Sequence, residues 1–188
     1  MMIKQSKTVG KEKQLKILGT AIRRPAPVSE AEAARGVHEE LHLAVEVENP
    51  GDKPLHVWAS RRAYDYDTTT HVLTLYLTEH TPELPPGIKM ISNHPRTPKQ
   101  VLVNAGSSAT LDVPVPAVMR RRIPGQGFGM AFVEEPIVQI DRVDLHIQSA
   151  PEPIPSLGKE NPVEHRKRLR AHGNVIRATI TPTEKKEY

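Results

Sequence analysis

The run EELHLAVEVENPGDKPLHVWAS at residues 39–60, followed by HVLTLYLTE at 71–79, decides the fold class of this chain. Leu41, Leu43, Val45 and Val47 fall on one side of an extended segment, and His42, Ala44, Glu46 and Glu48 fall on the other. Leu55, Val57 and Ala59 continue the apolar side beyond Asn49-Pro50-Gly51-Asp52, and Leu73, Leu75 and Leu77 repeat it. Apolar residues at every second position mark strands with one buried and one wet face. Successive strands joined by short polar turns predict an antiparallel sheet, whose apolar side needs a second layer. The fold class read here is therefore all-β, a sandwich. An in-register hairpin about the 49–54 turn would set Glu46 opposite His56 and Ala44 opposite Trp58, because a slip of one residue would turn the apolar set to water.

The length of 188 residues suits one domain with extensions. Only 4% of residues are aromatic, so the core has to rest on Val, Leu and Ile, as strand-rich cores do. The 18 prolines argue against long helices and for many loops. With no cysteine, disulfides, thiolate zinc sites, iron–sulfur clusters and cysteine nucleophiles are excluded. Residues 1–7 lack the apolar run of a signal peptide, and no stretch approaches the roughly 18 apolar residues of a membrane span, which predicts a soluble, cytoplasmic chain.

The net charge of +4 is unevenly spread. Residues 1–24 carry seven Lys/Arg against one Glu, and 159–188 carry eight against four. The stretch between them holds eleven Lys/Arg against seventeen Asp/Glu. Basic ends on an acidic body suit tails that dock on an acidic partner, a nucleic acid or a neighbouring copy, or tails that charge merely keeps soluble.

Three regions follow from the pattern. Residues 1–14 read as a flexible basic tail, 15–149 as the sandwich domain, and 150–188 as a Pro-rich linker with a basic extension. Within the domain, strands are expected at 15–22, 39–49, 54–64, 71–79, 99–103, 109–115 and 137–147. One helical turn follows Ser29, an N-cap residue. Asp65 and Asp67 with the threonines after them suit a hairpin end. Pro114 and Pro116 lack backbone donors and put the 109–115 strand at an edge. In 137–147 the apolar set changes phase from Val138 and Ile140 to Val143, Leu145 and Ile147, as a bulge requires. Residues 81–98 and 119–135 read as long loops. Residues 164–171 suit a short basic helix ended by Gly173, and 175–181 a last strand that must pair with a free edge or with another molecule.

The segment Asn49-Pro50-Gly51-Asp52-Lys53-Pro54-Leu55 between alternating strands resembles the B–C region of bacterial immunoglobulin-like modules. The run from Asn104-Ala105-Gly106-Ser107 through Leu111, Val113, Pro114, Val115 and Pro116 is similar to their turn and Pro-ended strand. With the alternating strands on either side, the two fragments cover about a third of the chain. The resemblance implies an antiparallel immunoglobulin-like sandwich of about seven strands. It carries no functional residues, because such folds host many unrelated roles. The chain departs from antibody-type domains in lacking the paired cysteines, and from the modules in its two long loops and basic C-terminal extension.

Motifs of catalysis and metal binding are wanting. The nine histidines are scattered, and His38 and His42 would stand about 13 Å apart along one strand face, too far to chelate an ion unaided. Asp65, Asp67 and Thr69 begin like a calcium loop, but Thr70 and Tyr76 stand where glycine and a carboxylate are needed. Gly125, Gly127 and Gly129 lack the strand–helix setting of a phosphate cradle. No nucleophile elbow orders a serine. The reading is therefore non-enzymatic, without cofactor or metal.

What remains is contact chemistry. Phe128 sits between glycines beside Arg120, Arg121 and Arg122, and a second basic group comprises Arg166, Lys167, Arg168 and Arg170. The residues 174–181 could add to a neighbour's sheet, with Ile176 and Ile180 filling pockets. These ten positions are the candidate partner-binding residues. The partner is expected to be another protein or further copies of the chain, with no membrane involved. Two alternatives stay open. One is a nucleic-acid accessory role for the arginine clusters, against which stand the acidic body and the lack of interleaved aromatics. The other is a small-molecule or carbohydrate site, or an enzyme, between the two long loops, where Trp58, Tyr64, Tyr66 and Tyr76 could stack.

Overall fold

A computed structural model describes residues 14–24, 28–34, 39–82, 98–122 and 132–185. It is mainly β. The elements in chain order are β1 Lys16–Arg23, α1 Glu30–Ala33, β2 Glu40–Glu48, β3 Leu55–Trp58, β4 Ala63–Asp67, β5 Val72–Leu77, β6 Gln100–Val103, β7 Ser108–Pro116, β8 Val118–Arg122, β9 Phe132–Pro136, β10 Arg142–Ala150, α2 Pro162–Ala171, β11 Asn174–Ile180 and β12 Thr183–Lys185.

One sheet runs β12-β1-β2-β7, and a second joins β4, β5, β10, β3, β6 and β11. Their alternating residues meet in a single core. Leu43, Val45 and Val113 from the first sheet, and Val57, Leu75 and Leu145 from the second, are all 0% exposed. The period-two pattern thus selects the buried faces as expected.

The pairing of the strands departs from the sequence reading. β2 and β3 do not form a hairpin: β2 pairs with β1 and β7, while β3 pairs with β6 and β10. Glu46 stands opposite Gly19 and Thr110, and His56 opposite Leu102 and Ala150. The cause is Asn49, fully buried at the corner. Its amide group donates to the carbonyls of Lys53 (2.7 Å) and Val103 (3.0 Å), and its side-chain oxygen accepts from Gly51 N–H (3.0 Å). Its backbone N–H donates to Ser107 O, and its carbonyl accepts from Gly106 N–H. These bonds tie the 49–54 crossover to the 104–107 crossover, so two arches pass side by side from sheet to sheet.

Both large sheets are mixed rather than wholly antiparallel, since β12 lies parallel to β1 and β5 parallel to β10. Long connections in sequence make such pairs possible. β10 is the centre of the second sheet. β11 lines one edge from Val143 to Ser149, so the other edge is shared by β5 and then, at Ser149 and Ala150, by β3.

Several local expectations are met. Ser29 precedes α1, with its hydroxyl and N–H both donating to Glu32 Oε2 (2.6 and 3.0 Å). Asp67 Oδ1 accepts from Thr69 and Thr70 N–H and closes the β4–β5 hairpin. β7 is an edge strand. Other expectations need correction. The expected strand at 54–64 is two strands, β3 and β4, separated by a break at 59–62. The strand expected from 137 begins only at Arg142: Ile137 is buried but Val138 is 71% exposed, so no continuous face exists there.

The C-terminal segment is built into both sheets rather than trailing from them. Adjacent strand residues point to opposite faces, and both Val57 and Trp58 are buried, so both faces of β3 are covered. The first sheet covers one. The segment 150–161 and α2 cover the other, burying Ile154 and Leu169 in the same core cluster. Ile154 is held by reciprocal bonds with the Gln100 side chain. Gly173 makes the turn into β11 with φ +75°, and a Cβ there would come within 2.2 Å of Ser149 O.

Candidate functional site

β7 bends at Ala117 and continues as β8, which pairs with β9 and with nothing else among the described strands. Ala117 marks the exit: its N–H donates to Glu39 O, and its carbonyl accepts from Ile137 N–H. Beyond it runs a two-stranded ribbon of its own, which buries Met119 in the core and leaves Val118 and Val133 partly exposed. The 119–135 connection, expected to be a loop, is thus ordered on both flanks. Alternation in the 118–122 run was hidden by three consecutive arginines, so no period of two could be read there.

The register sets Arg120 opposite Glu134, Arg121 opposite Val133 and Arg122 opposite Phe132, while Met119 faces Glu135. The ribbon therefore joins a basic strand to an acidic one. Phe128 and the three glycines around it lie outside the described residues, as does His38.

The second basic group is divided by its helix. α2 begins with Asn161, whose side chain accepts from the Val163 and Glu164 N–H groups, and has Pro162 in its first turn. Lys167 bonds Glu164 (3.0 Å), one turn back on the helix surface. Arg168 bonds Glu160 and the Ser156 carbonyl. Glu160 also takes the Nδ1 side of buried His165 (3.0 Å). Burial raises the Glu160 pKa, but hydrogen bonds from His165, the Gly158 backbone and Arg168 outweigh it and leave the carboxylate below its ordinary value.

Arg166 and Arg170, four residues apart and so neighbours on one helix face, approach Glu79 at the end of β5. The Glu79 side chain is 5% exposed, and its carboxylate receives a side-on fork from Arg62, with Nε at 2.9 Å from Oε2 and Nη2 at 3.3 Å from Oε1. Arg166 Nε stands 3.7 Å from Oε1, buried and without a hydrogen bond. Arg170 Nε donates to the Glu79 carbonyl (3.4 Å).

Beside this group the α2 backbone is locked by Gln148. The Gln148 amide group donates to the Leu169 and His172 carbonyls, and its oxygen accepts from Thr78 Oγ1 at 2.7 Å. Helix ends leave such carbonyls unpaired, so a buried amide satisfies them from the sheet side. Gln148 and Glu79 carried no sequence signal, since they are single polar residues at strand ends whose partners lie 17–91 positions away.

Ile176 and Ile180 face the chain's own core opposite Ile147 and Val143, so β11 is not a donor strand awaiting a neighbour. Its other edge pairs with no described strand. The outer edge of β7 is blunted by Pro114 and Pro116 and by Arg61, which donates to Pro114 O (2.7 Å) and stacks on Tyr64.

The aromatics expected to line a cleft are dispersed. Trp58 and Tyr66 are buried, and Tyr66 donates to Gln139 O (2.7 Å). Tyr76 stacks instead on His146, 4.6 Å between centroids, on the outward face beside Arg177. Among the described residues no three His, Asp or Glu converge as metal ligands, and no helix is long and apolar enough to cross a membrane. No protein-family model, curated protein or solved structure matches this chain.

Proposed function

We propose that this chain is a binding or scaffolding module that contacts another protein chain, in the simplest case a second copy of itself, through its β8–β9 ribbon. The observation that carries the reading is that this ribbon pairs with neither large sheet. A two-stranded ribbon alone is marginal in water, and a third strand or a packed face stabilises it. Neither outer edge pairs with another described strand, and Val118 and Val133 offer apolar surface.

Charge supports a second copy as partner. The ribbon includes Arg120, Arg121 and Arg122, while the middle of the chain carries more acidic than basic residues. Complementary charge of this kind steers encounter and fixes register more than it adds affinity. Lys167 and Arg168 are engaged with Glu164 and Glu160, which weakens the case for an extended nucleic-acid surface on α2.

The immunoglobulin-like reading of the sheets is part of the same proposal. It is supported by the order β1-β2-β7 in one sheet, β11-β10-β3 in the other, and the paired arches at Asn49. The β4–β5 hairpin and the parallel β12 are additions to that plan.

The test replaces residues 120–135 by a Gly-Ser linker, keeping the core residue Met119, and measures native mass beside thermal stability. The expected result is loss of the assembled species with the fold retained. An unchanged assembly state in the linker variant would remove the ribbon from the proposal.

A further inference from the structure

We propose that Arg62, Arg166 and Arg170 form a binding site for one compact dianionic oxyanion, inorganic phosphate or a phosphate monoester, at the junction of α2 with the end of β5. Three guanidinium groups gather around Glu79: Arg62 and Arg166 at its carboxylate, and Arg170 at its backbone carbonyl. One carboxylate offsets one of three positive charges. The remaining two match a phosphate monoester, which carries about −1.5 to −2 at neutral pH.

The geometry leaves donors to spare. Arg62 spends Nε and Nη2 on Glu79, which fixes its plane and leaves Nη1 without a partner among the described residues. The terminal nitrogens of Arg166 and Arg170 have no partner among the described residues, and Arg166 Nε is buried without one. Arg166 Nε is itself enclosed, so a ligand would meet the outer guanidinium nitrogens of this half-buried side chain. Arginine forks match phosphate oxygens two at a time.

Glu79 acts here as a positioning residue, holding the forks rather than blocking them, because its own carboxylate is 95% enclosed while Arg166 is 38% exposed. The site is compact. Lys167 and Arg168 are paired with Glu164 and Glu160, so α2 itself carries no continuous basic stripe for a polyanion to follow.

Calorimetric titration of the full chain at low ionic strength with inorganic phosphate and with methyl phosphate tests the proposal, with sodium chloride at matched ionic strength as the control. Both phosphates are expected to bind at a single saturable site. Arg166→Gln and Arg170→Gln are expected to weaken binding at least about tenfold, the scale of one lost charge-assisted fork. Lys167→Gln is expected to leave it within about twofold, as for a solvated surface ion pair. If either glutamine variant fails to fold, Arg170→Lys keeps the charge and loses the fork, and weaker binding by a folded Arg170→Lys is the expected result. Three results would overturn the site: no saturable phosphate binding by the native chain, equal losses in Lys167→Gln and Arg166→Gln, or binding of duplex DNA with none of phosphate.

Discussion

The Gln148 side chain donates to the Leu169 carbonyl at 2.6 Å, joining the middle strand of the second sheet to the last turn of the helix that covers it. Gln148 is 1% exposed and Leu169 likewise. The polar bond and the apolar contact therefore share one enclosed site, where an unpaired carbonyl is costly.

Gln148→Leu should destabilise the fold by about 2–3 kcal/mol, because it removes the side-chain donor to the His172 carbonyl, the acceptor of the Thr78 hydroxyl and Glu79 N–H, and one of the two donors to the Leu169 carbonyl. Urea unfolding measures the loss. Hydrogen exchange should show the α2 amides opening well before those of β10, since the helix buries only His165 and Leu169.

Asn49→Ala should cost about 2–3 kcal/mol, through loss of three side-chain bonds at a fully buried corner. Asn49→Asp is the sharper comparison. It keeps the acceptor for Gly51 but sets a carboxylate against the Lys53 and Val103 carbonyls, and should be at least as damaging. Denaturant midpoints of the two variants check the order.

Gly173→Ala should destabilise by more than about 2 kcal/mol, combining the left-handed backbone penalty with a Cβ that has no room. At φ +75° that Cβ would meet Ser149 O at 2.2 Å and the Ala150 Cβ at 2.7 Å, both on the strand to which β11 pairs. Circular dichroism on heating reads the effect.

Stability should fall as pH drops below about 6.5 in a way that depends on His146. Burial, and then Arg177 beside it, lower the His146 pKa from 6.5, with Asp144 opposing. Between the lowered native value and 6.5 the unfolded chain holds a proton that the native state refuses, so acidification through that window favours unfolding. His146→Gln should flatten this part of the profile. Urea midpoints at pH 7.5 and 5.5 for both proteins test it, and equal slopes would assign the effect elsewhere.

The legible part of the fold was whatever local alternation could encode. Leu41 to Val47, Leu73 to Leu77 and Leu111 to Val115 all face the core as their spacing predicts. Which strand each would join was not encoded locally. The Asn49 turn reads as a hairpin from its residues alone, and becomes an arch only because Val103, Gly106 and Ser107 supply its partners. The 150–161 segment, which composition marks as a linker, contributes Ile154 to the same core cluster as Trp58. The basic residues of α2 were visible, but their division between Glu79, Glu160 and Glu164 follows from helix phase and from a strand end some ninety positions earlier.

The most direct measurement is the native mass of the full chain, beside that of the chain whose residues 120–135 are replaced by a flexible linker. The expected result is a defined oligomer for the first and a folded monomer of about 21 kDa for the second, with similar melting temperatures. A native chain that stays monomeric at high concentration and binds no partner through the ribbon, or an oligomer that survives the replacement, would contradict the proposed role.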